Sequence, residues 1–244
     1  MLLEASDLVR SFGAFRAVDG ASLQVREGDV IGLIGPNGAG KSTFFNMLAG
    51  DLSVSSGRIT FAGQDITGST PEARARLGIA RSFQVPVTFE GMSVAENVLV
   101  GAFLRHTNRA AAQRVVEEVL DFTGLAPLAD SPARTLGTPG RKRLEIARAL
   151  ATQPRLLLLD EALAGLTPVE VRDAIALVRR IQARGITLVI VEHIMEVILS
   201  LTRHAVVFHQ GRVIAAGPPR DVVADPAVIS AYLGRSMARR PVAP

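Results

Sequence analysis

The sequence predicts an α/β fold with a parallel sheet core, an N-terminal antiparallel β subdomain and a helical subdomain. Three observations carry this. Near-continuous apolar stretches, Leu156–Leu159 and Ile186–Val191, alternate with amphipathic helical patterns, as in a parallel sheet covered on both faces. The first 65 residues alternate polar and apolar between glycines, the mark of antiparallel strands and tight turns. Residues 85–150 carry helical spacing instead.

Taken in order, Ala21–Val25 and Arg58–Phe61 alternate, punctuated by Gly20, Gly28, Gly57 and Gly63. Val30–Ile34 is an apolar strand entering a glycine-rich turn, and Lys41–Leu48 reads as the helix that follows. Arg109–Phe122 places Ala112, Val115, Val116, Val119 and Leu120 on one face, and Gly124 ends that helix. Arg143–Leu150 is a further helix, stopped before Pro154. Thr167-Pro168-Val169-Glu170 is a capping box with proline at the first helical position. The helix it opens turns Val171, Ala174, Ile175, Val178 and Ile181 inward and stops at Gly185. Ala205–Phe208 and Arg212–Ala215 form a hairpin around Gly211, and the tail from Arg235 is expected to be loose. The expected division is a core of 1–84 and 151–234, a helical subdomain of 85–150, and a tail of 235–244.

With 244 residues, 48% hydrophobic and 20% charged, the chain has ample core and is not a disordered polymer. It has no cysteine, which excludes disulfides and thiolate metal sites and fits a reducing compartment. A net charge of +4 is too slight to argue for nucleic acid. No apolar run approaches the ~18 residues of a membrane helix. Met1–Ser6 lacks a basic region followed by an apolar one, so no signal peptide is expected. The mean hydropathy of +0.29 is high. It points to apolar surface covered by a partner, or to an Ala/Leu/Val-rich core.

Gly35-Pro36-Asn37-Gly38-Ala39-Gly40-Lys41-Ser42-Thr43 fits the phosphate-loop pattern G-x-x-x-x-G-K-[ST] between a strand and a helix. Glycines let the backbone wrap and aim N–H groups at phosphate oxygens, and the helix N-terminus adds a positive dipole end. Lys41 suits the β- and γ-phosphates, and Ser42 suits Mg²⁺. Asp160 and Glu161 end an apolar strand, where ligands of parallel sheets gather. Asp160 suits Mg²⁺ through water, and Glu161 suits general-base activation of water. His193 follows the next apolar strand, within reach of a γ-phosphate if both strands share a sheet.

Together these residues resemble the ATP-binding cassette (ABC) ATPases, a group of P-loop NTPases. The motifs follow that family's order: phosphate loop 35–43, Q-loop Gln84 within Arg81-Ser82-Phe83-Gln84, signature region 136–143, the acidic strand 156–161, and His193. Essentially the whole chain is covered. The resemblance implies ATP and Mg²⁺ as ligands. It implies Glu161, His193 and Gln84 as the catalytic set, and Ser42, Gln84 and Asp160 around the metal. Phe12 is implied as the adenine-stacking aromatic, with Phe15 as alternative and Val18 in the same nucleotide-binding set. Further implications are transmembrane permease subunits docking over residues 85–105, a second cassette subunit forming a nucleotide-sandwich dimer, and a periplasmic or surface substrate-binding protein met indirectly. The expected location is the cytoplasmic face of the membrane. More narrowly, Ala164-Gly165-Leu166-Thr167-Pro168, the run Arg143–Leu150 and the ending Ala231-Tyr232-Leu233-Gly234 resemble ATP-binding subunits of branched-chain amino acid importers. Lipopolysaccharide-export ATPases share several of these.

The sequence departs from the family at its signature. Where L-S-G-G-Q is expected, the chain has Leu136-Gly137-Thr138-Pro139-Gly140. The serine hydroxyl is gone and Pro139 has no N–H. Hydrogen bonds to charged groups contribute ~1.5–3 kcal/mol each, so losing two predicts roughly two to four decades less stabilisation of a γ-phosphate, less any rescue from Arg141 and Lys142. Ala162 replaces a customary proline and Thr167 a customary acid. The expectation is a heterodimer, with this chain's phosphate loop working against a partner's intact signature and the opposite site slow. A soluble nucleic-acid-acting cassette is disfavoured by the single cassette and the small charge. A nucleotide-gated subunit with negligible hydrolysis is favoured by the signature and disfavoured by Asp160, Glu161 and His193.

Overall fold

The computed structural model describes residues 1–83 and 85–233. In chain order the first elements are β1 (Leu3–Phe12), β2 (Phe15–Val25), β3 (Val30–Ile34), α1 (Lys41–Ala49), β4 (Ser56–Phe61), β5 (Gln64–Asp65), α2 (Pro71–Leu77) and β6 (Ile79–Arg81). Next come α3 (Val94–Ala102), α4 (Arg109–Thr123), α5 (Thr138–Ala151), β7 (Leu156–Asp160), α6 (Pro168–Ala183) and β8 (Thr187–Val191). The last are α7 (Met195–Leu201), β9 (His204–His209), β10 (Arg212–Gly217), α8 (Pro219–Ala224) and α9 (Pro226–Leu233). By internal contacts the chain forms two units, Met1–Gly68 with the residues from Ile190 onward, and Ser69–Val189.

The first unit holds an antiparallel sheet in the order β2-β1-β4-β5. Ala21, Leu23 and Val25 are buried while Ser22 and Gln24 face solvent, so β2 shows the predicted alternation. β1 is less legible. Asp7 adopts a left-handed φ of 50° and the pairing with β2 shifts between Ala5 and Leu8, which breaks the two-residue period. In the same unit β3 runs parallel to β9, from Ile31 opposite His204 to Ile34 opposite Val207, and β9 turns through Gly211 into antiparallel β10 as predicted. Phe44 of α1 packs on Phe208 of β9 with ring centroids 5.0 Å apart.

The second unit pairs β6 with β7 in parallel, Ile79 opposite Leu156 and Arg81 opposite Leu158. All five residues of β7 are buried, and each fully buried leucine contributes about 1.5–3 kcal/mol. Helices α3, α4 and α5 pack on one another. The predicted face of α4 is inward, and the helix is capped by Asn108 and ended by Gly124. Both bonds of the Thr167–Glu170 capping box form, with the Thr167 N–H donating to Glu170 Oε2 at 2.7 Å. Periodicity does not predict α3, which is short and uses its own box of Ser93 and Glu96. Helix α5 starts at Thr138, five residues before the predicted Arg143.

Candidate functional site

The phosphate loop lies where β3 hands over to α1, and close backbone contacts fix both of its ends. Gly40, the residue before α1, has a φ of 101°, and a Cβ there would overlap the Ala17 carbonyl of β2. Gly35 has a φ of 144°, and a Cβ there would overlap the Phe208 carbonyl of β9. Only glycine fits either contact. The Gly211 N–H donates to the Ala39 carbonyl at 2.9 Å, tying the loop to the β9–β10 turn. The Asp19 N–H in turn donates to the Gly211 carbonyl at 2.8 Å, and Arg212 bonds the Asp19 carboxylate at 2.6 Å.

The first intrahelical bond of α1 runs from the Phe44 N–H to the Gly40 carbonyl. The amides of Lys41, Ser42 and Thr43 thus precede the helical ladder, as an anion site requires. Lys41 is buried and folds back over the loop, its Nζ donating to the carbonyls of Gly35 at 2.7 Å and Pro36 at 3.0 Å. The Ser42 hydroxyl residue and Asn37 are exposed. Phe12 is 47% exposed at the β1–β2 turn, opposite Phe15, with the Arg10 guanidinium 4.7 Å from its ring centre. Val18 is wholly buried in β2. His193 follows β8 and is exposed, beside a fully buried Glu192.

The second unit carries the acids. Asp160 ends β7, nearly buried, with Arg81 NH2 3.6 Å from its Oδ2 and its own N–H on Ser82 Oγ at 3.1 Å. Glu161 follows in a left-handed conformation, φ 45°, and Lys142 Nζ of α5 donates to its carbonyl at 3.0 Å. Lys142 and Arg141 are therefore engaged inside the chain. Arg141 Nε donates to the Leu136 carbonyl at 2.9 Å. In the altered signature, Gly137 is the N-cap of α5 and makes no side-chain cap bond. Pro139 sits in the first turn, where a helix has no intrahelical use for the N–H that proline lacks. Gln84 lies outside the described residues.

A buried carboxylate that sequence reasoning does not single out holds the backbone at Phe83. Glu145 of α5 is 3% exposed and its Oε1 accepts the Phe83 N–H at 2.9 Å. Arg148, one turn on, donates to the Val87 carbonyl at 2.6 Å and stacks on Phe89. Burial pushes the Glu145 carboxyl up from its ordinary 4.5 to about 7, against the hydrogen bond from Phe83 and the charge of Arg148. The unfolded chain loses this proton near 4.5 while the folded chain keeps it until about 7. Between those values the folded state binds more protons, so its stability falls as pH rises. Glu145→Gln is expected to remove that slope, an effect of at most about 3 kcal/mol. Urea midpoints of both proteins at pH 5 and pH 8 check it, and parallel shifts in the two would contradict it.

Beyond this clamp lies an apolar surface. Val85 is 75% exposed, and Val87, Phe89, Val100 and Phe103 are exposed as well. Among the described residues no helix is long and apolar enough to cross a membrane, and no cluster of three or more acidic or histidine side chains is arranged to hold a metal. The two glycine-forced contacts and the free amides at the N-terminus of α1 fit a phosphate chain.

Comparison with known proteins agrees with this geometry. Residues 18–164 match the family model described as ABC transporter. Residues 212–238 match one described as branched-chain amino acid ATP-binding cassette transporter. The chain is 39% identical over 233 residues to a lipopolysaccharide export system ATP-binding protein of Acidithiobacillus ferridurans, covering 96% of this chain and 97% of that one. It is 38% identical over 252 residues to a high-affinity branched-chain amino acid transport ATP-binding protein of Pseudomonas aeruginosa, covering 96% and 98%. Among solved structures it is similar to a nucleotide-free ATP-binding cassette from an ABC transporter, with a TM-score of 0.87, 35% identity and coverage of 96% and 99%. The ADP conformation of another such cassette gives 0.86 at 35% identity, covering 96% and 98%.

Proposed function

The chain belongs to the ABC transporter family as an ATP-binding subunit, and from that premise we propose that it hydrolyses ATP to drive an importer of branched-chain or related amino acids. The observation that carries the catalytic part is the phosphate loop with Gly35 and Gly40 locked against backbone carbonyls and Lys41 folded across it. The amides of residues 38–43 and the Lys41 ammonium bind the β- and γ-phosphates. Phe12 stacks on the adenine, with Val18 as packing behind it. Glu161 takes a proton from the attacking water, and His193 and Gln84 orient the γ-phosphate and that water. Ser42, Gln84 and Asp160 would hold Mg²⁺, which neutralises phosphate charge when bound.

The cargo reading rests on the C-terminal match at residues 212–238 and on relatives named for branched-chain amino acid transport. Lipopolysaccharide export is the second reading, favoured by a relative of that name with similar identity. The exposed apolar residues between Val85 and Phe103 support a docking face for transmembrane permease subunits in this reading, with the chain working at the cytoplasmic face of a membrane. A periplasmic or surface binding protein is met only through them. The segment 85–150 acts as the helical subdomain.

The altered signature supports a heterodimer. With neither a serine hydroxyl nor an N–H at Pro139, two chains of this kind make a weak sandwich, and a second cassette with an intact signature is the favoured partner. ATPase activity measured on the chain alone is expected to be slow, and to rise at least tenfold when Gly137→Ser is combined with Pro139→Gly. Fast hydrolysis by the homodimer, unmoved by those changes, would reject the heterodimer. Permease and binding-protein reading frames beside this one would support import.

A further inference from the structure

The end of the β1–β2 hairpin is fixed beside the phosphate loop and braced by an arginine. The Ala17 carbonyl of β2 lies against Gly40, the last residue before α1. Two residues of strand, ~7 Å, separate Ala17 from Phe15, and Phe12 stands directly across from Phe15. The guanidinium of Arg10 lies over the Phe12 ring, 4.7 Å from its centre. Arg10 Nη1 donates to the Ser53 carbonyl and to Ser53 Oγ, both at 2.8 Å. The same segment bonds the strand again on either side of Arg10. The Ser55 N–H donates to the Val9 carbonyl at 2.8 Å, and the Ser11 N–H donates to Ser55 Oγ at 3.1 Å. Ser53 and Ser55 follow α1, the helix that the phosphate loop opens. Phe15, 65% exposed, has no such cover among the described residues.

We infer that Arg10 is a positioning residue for the base, holding one face of Phe12 so that the other receives adenine. The inference rests on the reading of Phe12 as the stacking aromatic and deepens it. A half-exposed phenyl ring at a hairpin tip has rotamers to lose when a base lands on it. A guanidinium over one face restrains the ring beforehand, and the fork on Ser53 keeps that guanidinium in place. A ring already in its binding pose costs less to order. Arg10 acts through Phe12, so its contribution belongs to the base alone. The phosphates meet the loop amides and Lys41 whether or not the ring is braced. The brace also selects Phe12 over Phe15, since only one ring of that facing pair is held.

Calorimetry on the full chain with two probes, MgATP and magnesium tripolyphosphate, separates base from phosphate. Phe12→Ala is expected to weaken ATP binding at least about fivefold, the low end of a base–aromatic stack. Arg10→Met, which keeps an apolar stem, is expected to weaken it about twofold to tenfold, the range one pre-ordered side chain supplies. Tripolyphosphate affinity stays within error in both. Adding Arg10→Met to Phe12→Ala is expected to change nothing further, because the ring it braces is gone. Arg10→Lys keeps a cation but not the fork, and serves in place of Arg10→Met if that variant does not fold, with a loss of about twofold confined to ATP. Equal ATP affinities of wild type and the Arg10 variant, beside a weakened Phe12→Ala, overturn the brace and leave the stack standing. Loss of ATP and tripolyphosphate alike in the Arg10 variant, or a further loss in the Phe12→Ala background, overturns the brace too, since Arg10 then acts on the phosphates or on the fold. Unchanged ATP affinity in Phe12→Ala overturns both stack and brace, and absence of binding of either probe by the wild type overturns the nucleotide reading itself.

Discussion

Glu161→Gln is expected to bind MgATP as the wild type does and to hydrolyse it about two to four orders of magnitude more slowly, the usual contribution of a positioned general base. The substitution is nearly isosteric. Lys142 reaches the main-chain carbonyl of residue 161, a contact that the substitution leaves in place. The left-handed φ of 45° suits glutamine no worse than glutamate. Only the proton-accepting capacity is lost. Binding of a fluorescent ATP analogue and single-turnover phosphate release, measured on the same preparation, separate the two effects. Turnover at the wild-type rate would reject Glu161 as the base.

The second large effect is on binding. Gly40→Ala is expected to lower MgATP affinity at least about a hundredfold, or ~2.7 kcal/mol. A left-handed alanine costs about 1–2 kcal/mol by itself. Its Cβ would also occupy the space of the Ala17 carbonyl, so the loop has to leave its place. Gly38→Ala is the matched control, since its φ is 77° but no atom lies within 4 Å of a Cβ built there. It should lose about tenfold, from backbone strain alone. Calorimetry on the three proteins gives the ranking. Equal affinities for wild type and Gly40→Ala would remove the loop from the binding site. The helix itself should persist, because Phe44 and Phe45 anchor α1 in the core.

Local chemistry was legible and long-range contacts were not. The phosphate loop declared itself because glycine spacing and a following lysine are dictated by the shape of the turn. Asp160 and Glu161 stood out because four leucines precede them. Thr167 and Glu170 make both bonds their spacing predicts. In contrast, β1 was obscured by its irregular pairing at Asp7. The start of α5 was obscured because threonine, proline and glycine read as turn residues, although Gly137 and Pro139 suit a first turn. Glu145 reads as one more charge on an amphipathic helix. Its meaning comes from an amide 62 positions earlier in the chain, a separation no periodicity reports.

The position of Pro139 has a consequence for how this protein can change. A ring that stands where the helix has no call for a hydrogen leaves the scaffold indifferent to its presence. Melting curves and expression levels would therefore be blind to it, while a neighbouring molecule's triphosphate would meet a silent surface. In the proposed heterodimer, one of the two sites would then fall quiet while this polypeptide stays as sturdy as before.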